Sequence, residues 1–155
     1  MIDGLLRLPV RRFEDERGWF AEIRRESTLP KPTLQTNVSF SRRGVVRGLH
    51  YHDRGQDDLF VCLSGTARVV VLDRGTGEAY SEDIGEGNPV ALYVPGRYAH
   101  GYEALTDVLL CYQVTEEYDP ADPDEHGLPW NDPRVVHLWS TSSPILSERD
   151  ASLAS

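Results

Sequence analysis

The stretch Arg47–Gly65, RGLHYHDRGQDDLFVCLSG, carries the reading that decides the fold. Its second half, LFVCLSG, is a short apolar run closed by glycine, the form of a buried strand. The pattern recurs on both sides of the chain's midpoint. ARVVVLDRG, AYSEDIG, PVALYVPG and DVLLCYQVTEEY are β-branched or aromatic runs, mostly closed by Gly, Pro or Asp. The turn signals SGT, DRGTGE, GEGNP and PGR separate them at intervals of about eight to twelve residues. No stretch places apolar residues at i, i+3, i+4 and i+7 over several turns. The chain therefore reads as all-β, an antiparallel barrel of jelly-roll type with few short helices.

The flanks are less regular. The N-terminal third (FEDERGWFAEIRRES, then TLPKPTLQTNVSFSRRG) is more polar, and part of it is expected to be strand that pairs with another subunit. YDPADPDEHGLPWNDP, rich in proline, reads as an extended loop. SPILSERDASLAS reads as a closing turn and a frayed tail. With no internal repeat and no linker, the 155 residues suit one domain spanning 1–155.

Composition removes several functions. The net charge of −9 argues against nucleic acid or an anionic membrane as a partner, although local arginines can still build a phosphate site. Lys31 is the sole lysine among 16 basic residues, so Schiff-base chemistry is not expected. Cys62 and Cys111 lie inside apolar runs and read as buried thiols, not as a disulfide framework. No apolar run reaches the roughly 18 residues of a membrane span, and the N-terminus has no signal-like segment, so a cytoplasmic protein is expected.

Four residues have metal-ligand chemistry. His50 and His52 stand at i and i+2, which on a strand share a face. Asp58 follows, with six residues between it and Gly65, and VPGRYAHG adds His100. This resembles the metal signature of the cupins, the double-stranded β-helix barrels, and imidazoles with a carboxylate suit Fe, Mn, Ni or Zn.

A wider set of segments resembles one cupin family, the dTDP-4-dehydrorhamnose 3,5-epimerases of deoxysugar biosynthesis. These are FEDERGWFAE, LQTN, GVVRGLHY, VPGRYAHGY, CYQVTEEYDP, GLPWNDP and SPILSERD, in the family's order over residues 13 to 150. The resemblance implies a homodimeric jelly-roll enzyme with no metal or organic cofactor, acting on a nucleotide-sugar. It implies that the N-terminal segment contacts the other subunit. The catalytic residues it implies are His50 as general base, Asp150 as the carboxylate fixing its tautomer, and Tyr112 as general acid. It places Arg47 on the diphosphate and Tyr118 on the thymine ring. Arg17, Glu22, Gln35 and Asn37 match nucleotide contacts, some reaching in from the neighbouring subunit. His100, Glu125 and Arg149 match further substrate contacts, Arg149 standing where the family has lysine. Taken singly, Tyr112 also reads as a core tyrosine, and Arg17 and Arg47 as surface charges.

Two positions depart from the family. Asp58 occupies the place of a lysine that stabilises the enolate formed on proton loss, and such preorganised charge is worth roughly 3–4 kcal/mol. His52 stands where glutamine is common. Three readings follow. The chain is a metal-free epimerase with Asp58 turned away or neutral. Alternatively, His50, His52, Asp58 and His100 hold one divalent metal ion that replaces the lysine. Or the pocket is reused for another isomerisation or cyclisation in natural-product assembly.

Overall fold

The structure is a computed structural model describing residues 2–154. Twelve strands dominate it: β1 (Leu6–Pro9), β2 (Arg12–Asp15), β3 (Gly18–Ala21), β4 (Gln35–Ser41), β5 (Val46–Tyr51), β6 (Asp57–Ser64), β7 (Thr66–Leu72), β8 (Ala79–Gly85), β9 (Val90–Pro95), β10 (Ala99–Ala104), β11 (Val108–Val114) and β12 (His126–Gly127). Two 3₁₀ turns, Glu26–Thr28 and Val136–Leu138, and one helix, α1 (Glu148–Ala154), complete it.

Ten strands form two five-stranded antiparallel sheets, ordered β1-β9-β6-β11-β4 and β12-β5-β10-β7-β8, and β2 and β3 make a separate hairpin. The main core lies between the sheets, where Phe60 and Cys62, Val69 and Val71, Leu92 and Val94, and Val108 and Leu110 meet. The outer faces are covered too. Val10, Ile23 and Leu29 of the N-terminal segment pack on Leu59, Val61 and Tyr93. Leu128, Trp130, Val135 and Trp139 pack on Leu49, Val70 and Leu72. Double coverage explains why β6 and β9 carry continuous apolar runs instead of alternating ones.

Ahead of the hairpin, β1 pairs with β9, Leu6 opposite Tyr93. One expectation changes: the C-terminal stretch is not a frayed tail but α1, whose Asp150 is buried. Ser147 caps it, accepting the Asp150 N–H on Oγ at 3.1 Å. No helix among the described residues is long and apolar enough to cross a membrane.

A bulge in β5 shapes the interior. His100 of β10 lies opposite His50, but Tyr102 lies opposite Arg47, so two residues of β10 span three of β5. Glycines permit it. A Cβ on Gly101 would stand 2.4 Å from the Arg47 carbonyl oxygen, and one on Gly48 2.8 Å from Gly101 Cα. The extra residue breaks the two-residue period of the strand, so Arg47 and His50, three apart, both reach the cavity between the sheets.

Candidate active site

That cavity has a volume of about 920 Å³, the size of a ligand pocket. His50 of β5 and Tyr112 of β11 line it from opposite sheets. Gln35, Asn37, Arg47, His52, Asp58, His100, Tyr118, Glu125, Arg149 and Asp150 line it as well. Arg17 and Glu22 do not. Arg17 sits at the β2–β3 turn, paired with Asp15, and Glu22 pairs with Arg25 at 2.8 Å.

His50 is held by α1. Its Nε2 lies 2.9 Å from Asp150 Oδ1, while Asp150 Oδ2 accepts the Gly48 N–H at 3.1 Å. The carboxylate can only accept when ionised, so Nε2 carries the hydrogen and the Nδ1 lone pair remains for other partners. Burial works to raise the Asp150 pKa, but the hydrogen bond and charge of His50 and the Gly48 N–H outweigh it and hold the group below the ordinary carboxylate range. Glu125 Oε1 stands 3.8 Å from Nδ1 and Arg149 pairs with Glu125 at 2.5 Å, a charged rim beside the imidazole.

Tyr112 packs against Phe60, ring centroids 6.2 Å apart. Burial, then the neighbouring Tyr102, pushes its phenol pKa up, with Arg47 opposing. The Arg47 guanidinium is fixed by the Ser41 hydroxyl at 2.8 Å and the Phe40 carbonyl at 3.2 Å. Gln35 donates to Asn37 at 3.0 Å and accepts the Tyr118 N–H at 2.8 Å, which ties the loop after β11 to β4.

His52 and Asp58 lie together, beside His100. His100 Nε2 is 3.0 Å from Asp58 Oδ2, and His52 Nε2 is 3.7 Å from the same oxygen. Burial acts to raise the Asp58 pKa, but His100 and His52 pull it well below the usual range. Burial likewise opposes protonation of His52, yet Asp58 and the Asp124 carbonyl win and raise its pKa. His50 is not part of this cluster. β5 ends at Tyr51, one residue before His52, and Asp150 engages the His50 ring. The four-residue metal set expected on sequence thus reduces to His52, Asp58 and His100.

Sequence reading missed Gln56, which donates to Asp58 Oδ1 at 3.0 Å, and Asp124, whose carbonyl takes the His52 Nδ1–H at 2.6 Å. The latter contact uses a backbone atom and leaves no mark on residue type. The Ser147–Asp150 spacing, in contrast, is a helix-start signal and would have found α1.

Two antiparallel sheets wrapped about a ligand-sized cavity define a cupin-type double-stranded β-helix. The family is narrower still. The family model described as dTDP-4-dehydrorhamnose 3,5-epimerase matches residues 1–155, and the chain belongs to that family. The spore coat polysaccharide biosynthesis protein SpsL of Bacillus subtilis (strain 168) is 37% identical over 149 residues, 91% of this chain and 98% of that protein. The dTDP-4-dehydrorhamnose 3,5-epimerase of Escherichia coli (strain K12) is 33% identical over 167 residues, covering 98% and 89%. Among solved structures, NovW, a 4-keto-6-deoxy sugar epimerase from the novobiocin biosynthetic gene cluster of Streptomyces spheroides, superposes with a TM-score of 0.88. It shares 31% identity over 98% of this chain and 82% of its own. RmlC from Legionella pneumophila Philadelphia 1, in complex with dTDP-4-keto-L-rhamnose, gives a TM-score of 0.86 at 28% identity, covering 98% and 87%.

Proposed function

We propose that the chain epimerises a dTDP-4-keto-6-deoxy sugar at C3, C5 or both. The observation that carries this reading is the placement of His50 and Tyr112 on opposite walls of one cavity. Inversion needs a base on one face of the sugar and an acid on the other. His50 Nδ1 takes the proton next to the C4 ketone, and the electron pair moves onto the carbonyl oxygen as an enolate. The Tyr112 hydroxyl returns a proton to the same carbon from the opposite face, and solvent resets both groups. Asp150 holds the imidazole in the reactive tautomer.

Arg47 takes the diphosphate, for which a planar fork is suited, and Tyr118 stacks on thymine with Gln35 and Asn37 beside it. Arg149, Glu125 and His100 contact the sugar. Arg17 and Glu22 serve the pocket of a second copy in a homodimer. Exposed apolar groups support that arrangement: Val38 and Phe40 on edge strand β4, and Phe13, Trp19 and Phe20 on the β2–β3 hairpin. Such an enzyme works in the cytoplasm, in deoxysugar or natural-product biosynthesis.

The test is incubation with dTDP-4-keto-6-deoxyglucose in deuterium oxide, read by NMR. Deuterium is expected at C3, C5 or both. No incorporation by folded, dTDP-binding protein overturns the reading in favour of a reused pocket.

A further inference from the structure

We propose that His52, Asp58 and His100 bind one divalent transition-metal ion. The argument begins with the far side of each imidazole. His52 Nδ1 lies 2.6 Å from the Asp124 carbonyl oxygen, and His100 Nδ1 lies 2.9 Å from that of Tyr98. A carbonyl only accepts, so both Nδ1 atoms carry hydrogen and the Nε2 atoms are the ones turned to Asp58. They approach its Oδ2 at 3.7 and 3.0 Å. Anchoring one ring nitrogen on a carbonyl is the outer arrangement that orients a metal-bound histidine.

The cluster holds one buried carboxylate. All three residues are buried, at 4–5% exposure. Gln56 donates to Asp58 Oδ1 at 3.0 Å and reaches His52 Nε2 at 3.2 Å. The ion pairs of Asp58 are with these histidines alone among the described residues. A buried carboxylate requires a cation, either a proton shared with these imidazoles or a metal ion in its place.

The spacing fits a metal. Bonds of about 2.1 Å at tetrahedral angles place donor atoms roughly 3.4 Å apart. The observed 3.0 and 3.7 Å bracket that separation, and all three donor atoms lie within 4.8 Å of one another. Two imidazoles and one carboxylate form a half-set that leaves coordination positions open, here toward the cavity that all three residues line. Zn, Fe, Mn and Ni suit such donors; Mg and Ca, which prefer oxygen alone, do not. If the epimerase reading holds, an ion at Asp58 supplies the positive charge that the family's lysine brings, a departure from the cofactor-free chemistry that the resemblance implies.

The experiment uses untagged full-length protein stripped with a chelator, without sugar. Zn²⁺, Mn²⁺ and Co²⁺ are titrated by calorimetry, with Co²⁺ also followed by its visible d–d absorption. One equivalent is expected, with a rise in melting temperature. Asp58→Asn and His52→Gln should each weaken binding beyond the roughly 10–100-fold cost of losing an outer partner. Glutamine keeps a neutral polar side chain of similar size at 52, so that variant is expected to fold, which circular dichroism checks. Folded protein that takes up no ion overturns the proposal and leaves a proton as the cation between the histidines and Asp58. Uptake unchanged in His52→Gln also overturns it, because the ion then sits elsewhere. Binding is read without substrate, so failure of the deuterium-exchange test leaves this result standing.

Discussion

Asp150 and His50, one hundred residues apart, are joined by a 2.9 Å hydrogen bond from helix α1 to strand β5. The second oxygen of the same carboxylate takes the Gly48 N–H, so one side chain fixes both the imidazole and the bulge beneath it. Asp150→Asn keeps the volume but can present an amide N–H to Nε2, which favours the wrong tautomer. The deuterium-exchange rate should fall about 10²–10⁴-fold with little change in dTDP affinity. An unchanged rate with folded protein would show that His50 needs no partner.

The bulge itself can be tested through Gly101. A methyl group there meets the Arg47 carbonyl at 2.4 Å and Gly48 Cα at 2.9 Å, both backbone atoms with no side chain to swing away. Gly101→Ala should therefore destabilise by about 1–3 kcal/mol in urea unfolding. It should also weaken exchange activity, because separating β5 from β10 moves Arg47 and His50 together.

Much of this architecture was legible in advance, for identifiable reasons. Runs such as VALYVP and VLLCYQV are largely apolar because both faces of their sheet are covered, and glycine or proline closes most such runs. The bulge was not legible. Period-two reasoning puts His50 and His52 on one face, and both line the cavity; the extra residue at Gly48 brings Arg47 there as well. Helix α1, with seven residues, is too short to show a period, and only the Ser147–Asp150 spacing marks its start. The candidate residues of β4, β5, β10 and β11 that line the cavity stand in segments of unusual composition. Gln56 was passed over because a polar residue in a turn has no distinguishing signal.

Acid stability should report on Glu82. Its hydrogen bond to Arg7, opposed by burial and helped by Tyr80 and Asn88, lowers its pKa to about 2. A carboxylate depressed in the folded state stabilises above its unfolded pKa, near 4.3, and loses that contribution as pH falls through the folded value. Glu82→Gln should lower stability at pH 7 by on the order of 1 kcal/mol, since Arg7 is half exposed, and flatten the decline between about pH 4.5 and 2. Thermal melts across that window check both.

The proposed dimer depends on β4 and the hairpin. Phe40 is 56% exposed and Phe20 69%, and a second copy would bury them. Charged substitutions, Phe40→Asp with Phe20→Asp, should give a folded monomer by sedimentation velocity. They should also weaken dTDP binding, because Arg17 and Glu22 would no longer reach a neighbouring pocket. A dimer that survives both changes must use another face.

Tyr112 separates proton removal from proton return. In Tyr112→Phe the base remains, so deuterium should still enter at the reacting carbon with retained configuration, while inverted product falls by about 10²–10⁴-fold. NMR of the same reaction resolves both. The pH profile offers an independent check. Burial and Tyr102 raise the phenol pKa, and an acid is competent only while protonated. The alkaline limb of inversion should therefore lie above the ordinary tyrosine value of about 10 and be absent from the phenylalanine variant. Inversion at the native rate in Tyr112→Phe would assign the proton return to another group, and Tyr102, whose hydroxyl already bonds Ser39 and Ser41 at 2.8 and 2.7 Å, would be the next to substitute.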